Sequence, residues 1–250
     1  LTPAAPKVRR RVTVAMGLLV ATATIGWSSF GRATSADSCA TAAAERADAA
    51  LSASDLQGIT AAWNQVAAPY AATTTEVAGR ELATYKLRWQ QLDEQRCRTE
   101  RNVSAQRNDA KVDCLDRAHR SMSVLREYLR SQPAAATLVH GEELVGSLHP
   151  LAHCVGPVPT EPAVPPSKLN AVRRLEVTVQ QATLARATGE IARAKAVLDS
   201  IEAEVEALGW IPLRDAYDLV RAELDRDEGN SSIGRVLPIA ERALGESRSV

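Results

Sequence analysis

The chain has 250 residues, 45% of them hydrophobic and 24% charged, which excludes a wholly disordered polymer. Its apolar content is dominated by 44 alanines while aromatics make up only 4%, a balance that suits closely packed helices and excludes a β-sandwich. The formal net charge of zero divides into a basic head, residues 1–36 with Lys7, Arg9, Arg10, Arg11, Arg32 and no acid, and a net-acidic body that argues against nonspecific nucleic-acid binding.

The first residue is Leu1 rather than Met, so the chain is expected to be processed or cut from something longer. From Val12 to Gly31 no residue is charged, and Arg11 and Arg32 bracket the run. Twenty residues at about 1.5 Å each reach across a hydrocarbon core, so the segment reads as a single transmembrane helix. Four basic residues precede it and one follows, which puts the N-terminus in the cytoplasm and residues 32–250 in the periplasm or beyond. A cleaved signal peptide is the rival reading, because Ala33, Thr34, Ser35 and Ala36 resemble a processing site. Within the span Gly17, Ala21, Thr24 and Ser28 form a stripe of small residues, a candidate packing face for a homodimer.

Residues 37–154 read as a helical bundle of about five helices. Ser52 to Asp55 has the pattern of a capping box, Pro69 and Thr73 to Thr75 punctuate, and Gln132-Pro133 ends a long hairpin. That hairpin is formed by two amphipathic helices, Glu76 to Arg101 with Leu82, Tyr85, Trp89 and Leu92 at helical spacing, and Asp109 to Arg130 with Leu115, Ala118, Met122, Leu125 and Leu129. Trp63 and Trp89 are the expected core anchors.

Cys39, Cys97, Cys114 and Cys154 all follow the expected span, and an even number of cysteines in an oxidising compartment predicts two disulfides with three possible pairings. The hairpin places Cys97 shortly before its bend and Cys114 shortly after, so the expected bridges are Cys97 to Cys114 and Cys39 to Cys154. A competing metal reading uses His149, His153 and Cys154, but Pro150 interrupts a regular helix there and no C-x-x-C or H-E-x-x-H occurs, so no metal site and no cofactor are expected. His119 and His140 read as surface or capping residues.

Five prolines between Val155 and Ser167 make a semi-rigid linker. Beyond it, Leu169 to Thr188, Glu190 to Leu208, Leu213 to Asp227 and Ile233 to Leu244 read as two helix pairs. With Gly189 at a bend and Ala192, Ala194 and Ala196 where helices approach, residues 168–250 are expected to be tetratricopeptide-like repeats that bind a protein or peptide. No Gly-rich phosphate loop, G-x-S-x-G, H-R-D or D-F-G is present, so no catalytic residue is assigned.

In order, K-V-R-R-R before the span, Cys39, A-A-W-N-Q-V-A-A-P-Y-A (61–71), C-R-T-E-R (97–101), K-V-D-C-L-D-R (111–117), L-H-P-L-A-H-C (148–154) and G-E-I-A-R-A (189–194) resemble the C-terminal region of myxobacterial-type bacterial serine/threonine protein kinases. The resemblance implies a cytoplasmic kinase domain upstream of Leu1, with its own ATP and Mg²⁺, one span, a cysteine-containing helical region and tetratricopeptide repeats. The expected function is that of a noncatalytic membrane anchor and extracytoplasmic sensor or protein-binding module of a receptor-type kinase in signal transduction. The alternatives are an envelope scaffold with no kinase and a secreted redox or metal protein.

Overall fold

The computed structural model describes residues 35–102, 109–155, 164–229, 234 and 236–241. Its elements are α1 (Ser35–Ala50), α2 (Ala53–Asn64), α3 (Ala71–Asn102), α4 (Asp109–Ser131), α5 (Ala134–Val139), α6 (Gly141–Gly146), a 3-10 turn (Leu151–Cys154), α7 (Leu169–Ala187), α8 (Ile191–Asp199), α9 (Glu202–Leu208) and α10 (Ile211–Asp227). A short 3-10 turn over Pro166–Lys168 leads into α7. Among the described residues there is no strand, in keeping with the alanine-rich composition.

The expected transmembrane helix is corrected by this fold. Among the described residues no helix is long and apolar enough to cross a membrane. The longest, α3, has 32 residues, but Glu76, Arg80, Glu81, Lys86, Arg88, Asp93 and Glu94 break its apolar character. The all-α expectation stands without its anchor, and the placement of residues 32–250 outside the cytoplasm loses its basis. The uncharged run 12–31, diluted by Thr13, Thr22, Thr24, Ser28 and Ser29, lies outside the described residues, as do Gly17, Ala21, Thr24 and Ser28 of the packing stripe.

The first core forms because small residues let helices approach. In α1, Cys39, Ala43, Ala47 and Ala50 are buried at helical spacing, a narrow face that lies along α3. A capping box starts α2: the Ser52 hydroxyl accepts the Asp55 N–H at 3.0 Å, and the Asp55 carboxylate accepts the Ser52 N–H at 2.9 Å. Trp63 on α2 is buried, and its indole N–H donates to the Thr137 hydroxyl at 2.9 Å. The expected hairpin is present as α3 and α4, with Leu82, Trp89, Leu115, Ala118, Met122, Leu125 and Leu129 buried and Tyr85 and Leu92 half-buried against them. Thr73 to Thr75 do not punctuate; they lie in the first turns of α3, because Pro69 already supplies the break. Gly141 opens α6 where that backbone meets α3, and a Cβ there would stand 3.1 Å from the Ala78 Cβ.

A second core gathers Val172, Leu175 and Val179 of α7, Leu198 of α8, Val205 of α9, Trp210 just before α10, and Leu213, Tyr217 and Leu224 of α10. Gly189 and Gly209, with φ of +74° and +64°, supply the left-handed turns after α7 and α9. The expected helix from Glu190 to Leu208 is broken at Ser200 and Ile201 into α8 and α9. Beyond the linker α7 and α8 form a long-and-short hairpin and the short α9 precedes α10; residues 236–241 are helical, and the rest of the expected Ile233 to Leu244 helix lies outside the described residues. Leu184 and Ala187 at the end of α7 belong to the first core, not the second.

Candidate functional site

The disulfides are the clearest departure at the level of single residues. The structure joins Cys39 to Cys97 and Cys114 to Cys154, with Cα separations of 5.7 and 5.5 Å. The expected Cys97 to Cys114 and Cys39 to Cys154 bridges are therefore corrected. Closeness along a hairpin does not decide which way a side chain turns. The face of α3 bearing Cys97 packs on α1, and the face of α4 bearing Cys114 packs on the Leu151–Cys154 turn. No free cysteine remains among the described residues.

Charge is concentrated at two junctions. Asp93 is buried in α3 and accepts from Arg46 of α1 at 2.8 Å and from Arg96 at 2.8 Å. Arg46 also reaches Asp116 at 2.7 Å and lies 5.3 Å over the Trp89 ring, so one guanidinium ties three helices together. His119, expected at the surface, is half-buried beside Trp89 and donates to the Arg46 carbonyl at 2.9 Å. His140 stands at the N-cap position of α6 but makes no capping hydrogen bond with its side chain; its ring instead meets the Glu143 carboxylate at 3.0 Å.

The second junction joins the two cores. Glu176 on α7 accepts from Arg117 at 3.1 Å and from Arg120 at 2.6 Å, both on α4. Arg186, further along α7, meets Glu223 at 2.9 Å and Asp227 at 3.1 Å on α10. Between these pairs runs a groove of about 1110 Å³, with α7 as its floor, α4 and the segment after α6 on one side and α10 on the other. Val124, Val177, Ile191, Ala216, Leu219 and Val220 give it an apolar lining. Leu219 is 47% exposed there, a large side chain left uncovered at the mouth.

His149 and His153 also face this groove. Their rings stand edge to face with centroids 6.0 Å apart, but the side chains that share a potential ligand set are Cys114, His149 and Cys154, whose ligand atoms all lie within 4.8 Å of one another. The structure thus keeps His149 and Cys154 of the sequence set and replaces His153 by Cys114, a residue 35 positions from His149 that spacing gives no way to find. Tyr85 closes the same corner by donating to the His149 carbonyl at 2.6 Å, and burial pushes its phenol well above the usual tyrosine range. The acidic pair Glu142 and Glu143 is exposed to solvent, as a helix face would place it.

No protein-family model, no curated protein and no solved structure matches the chain.

Proposed function

We propose that the chain is a noncatalytic helical module that binds a protein segment in the groove between α4, α7 and α10. The observation that carries this reading is an open apolar trough whose charged rim is already internally paired. Arg117, Arg120 and Arg186 have acidic partners on neighbouring helices, so the rim favours no strongly charged ligand, while the uncovered lining favours apolar side chains. A helix about 10 Å across displaces roughly 120 Å³ per residue. A groove of about 1110 Å³ is therefore filled by roughly nine residues, two to three turns, anchored by apolar residues at i, i+3, i+4 and i+7. The kinase resemblance extends the proposal: such a module would serve as the input region of a bacterial serine/threonine kinase. That extension rests on the resemblance alone, and reading the coding frame upstream of Leu1 for G-x-G-x-x-G, H-R-D and D-F-G tests it.

The groove itself is tested by selecting amphipathic helical peptides from a displayed library against the oxidised chain. Leu219→Glu and Val177→Glu place charge in the apolar lining and should weaken selected peptides by at least tenfold, the equivalent of about 1.4 kcal/mol. Leu87→Glu, on an exposed position of α3, should leave affinity unchanged. Selected peptides that bind all three variants alike would place the binding surface elsewhere.

A further inference from the structure

We propose that Cys114, Cys154 and His149 form a divalent-metal site of the zinc class that becomes available when the Cys114 to Cys154 bridge is reduced. This inference is independent of peptide binding, although His149 borders the groove.

Geometry carries it. A tetrahedral zinc with one thiolate at 2.3 Å and one imidazole nitrogen near 2.05 Å holds those two ligand atoms about 3.55 Å apart. The Cys114 Sγ and the His149 Nε2 stand 3.5 Å apart in the oxidised chain, so the imidazole already occupies a ligand position relative to that sulfur. Two thiolates on one zinc stand about 3.8 Å apart. The backbone of the bridge, with Cα atoms 5.5 Å apart, permits this by side-chain rotation once the sulfur–sulfur bond is cut. The backbone that carries the ring is also anchored: the His149 N–H donates to the Ser121 hydroxyl at 3.2 Å and its carbonyl accepts the Tyr85 hydroxyl, which keeps the root of the imidazole beside the two sulfurs. The groove beside His149 leaves room for a fourth ligand, water or a side chain of the bound segment. Among the described residues no other group of histidine, cysteine and carboxylate side chains comes together in this way, and the Cys39 to Cys97 bridge has no such histidine.

The switch is balanced with a dithiol as reductant. The dithiol gives two electrons and two protons to the bridge, becomes a disulfide itself, and leaves Cys114 and Cys154 as thiols. Binding of M²⁺ then releases the two thiol protons to solvent and gives an uncharged bis-thiolate complex with neutral imidazole.

The test titrates Co²⁺, a spectroscopic stand-in for zinc, into the full chain before and after reduction, following thiolate-to-cobalt charge transfer with helix content checked by circular dichroism. The reduced chain should take up one ion, displaced stoichiometrically by Zn²⁺, and the oxidised chain none. Cys39→Ser/Cys97→Ser should retain the site, Cys114→Ser/Cys154→Ser should lose it, and His149→Ala should weaken it at least tenfold while keeping some thiolate absorption. The proposal is overturned by a reduced chain that binds no ion, by one that loses its helices and binds none, by equal affinity in His149→Ala, by loss of binding in the Cys39/Cys97 variant, or by an ion held equally well by the oxidised chain.

Discussion

Exchanging cysteines in the wrong pairs distinguishes the two disulfide connectivities by stability as well as by mapping. The bridges close loops of 58 and 40 residues. On the chain-entropy model these are worth about 4.2 and 3.9 kcal/mol at 25 °C. Cys39→Ala/Cys97→Ala removes one bridge, and Cys114→Ala/Cys154→Ala removes the other. Cys97→Ala/Cys114→Ala removes half of each and so opens both, and should cost about twice as much. For a chain of this size a loss of about 4 kcal/mol corresponds to a Tm lower by roughly 8–16 °C. The assay is urea and thermal unfolding of the three variants under non-reducing conditions, joined to tryptic mapping. Cleavage after Arg and Lys gives peptides 33–46, 97–98, 112–117 and 131–168, each with one cysteine. The structure requires 33–46 linked to 97–98 and 112–117 linked to 131–168. A linked 97–98 and 112–117 species, or a Cys97/Cys114 variant no less stable than the Cys39/Cys97 variant, would refute the packing of α1 on α3 that orients Cys97.

Thr137→Val leaves the buried Trp63 indole N–H without its acceptor and should cost about 1–3 kcal/mol in urea unfolding, part of which Trp63→Phe in the same background should restore. Glu176→Gln removes the carboxylate shared by Arg117 and Arg120; with side chains 15–26% exposed the loss should fall between the surface and buried limits, about 1–3 kcal/mol, and shrink at high salt. Because the Tyr85 phenol titrates higher in the folded chain than in the unfolded one, its contribution is complete below about pH 10 and lost as pH rises toward the folded value. Tyr85→Phe should therefore flatten the alkaline slope of stability, and an unchanged slope would assign it to other groups. Gly141→Leu forces a side chain against Ala78 and Thr74 and should destabilise by about 1–3 kcal/mol, with partial recovery from Ala78→Gly in the same unfolding assay.

What was legible in the sequence was what periodicity controls. Leu82, Trp89, Met122 and Leu125 announce the buried faces of α3 and α4 by their spacing, and Ser52 with Asp55 announces a helix start because both partners of the box lie within one turn. What failed depends on the rotation and neighbours of whole helices. Cys97 is nearer in sequence to Cys114 than to Cys39, yet the small-residue face of α1 takes it. The expectation of one helix from Glu190 to Leu208 follows its amphipathic pattern, although Asp199 and Ser200 ahead of Glu202 and Glu204 carry the local mark of a helix start at the observed break. The candidate groove was invisible for the reason that hid the Cys97 pairing. Glu176 and Arg120 are 56 residues apart, and no pattern in either helix names the other. The uncharged run from Val12 to Gly31 lies outside the described residues, among which no helix is long and apolar enough to cross a membrane.

Helix α7 gives Leu175 and Val179 to one core and Leu184 and Ala187 to the other. A continuous helix transmits axial displacement along its length, so it acts as a shared beam between two chambers. Severing the chain in the proline-rich stretch would accordingly leave a first fragment lacking the plug that Leu184 provides, able to reclaim it only by recapturing the second. Two halves expressed separately and mixed should reassemble, and the stretch that looks like a boundary in composition would serve as a permissive cut within one cooperative body.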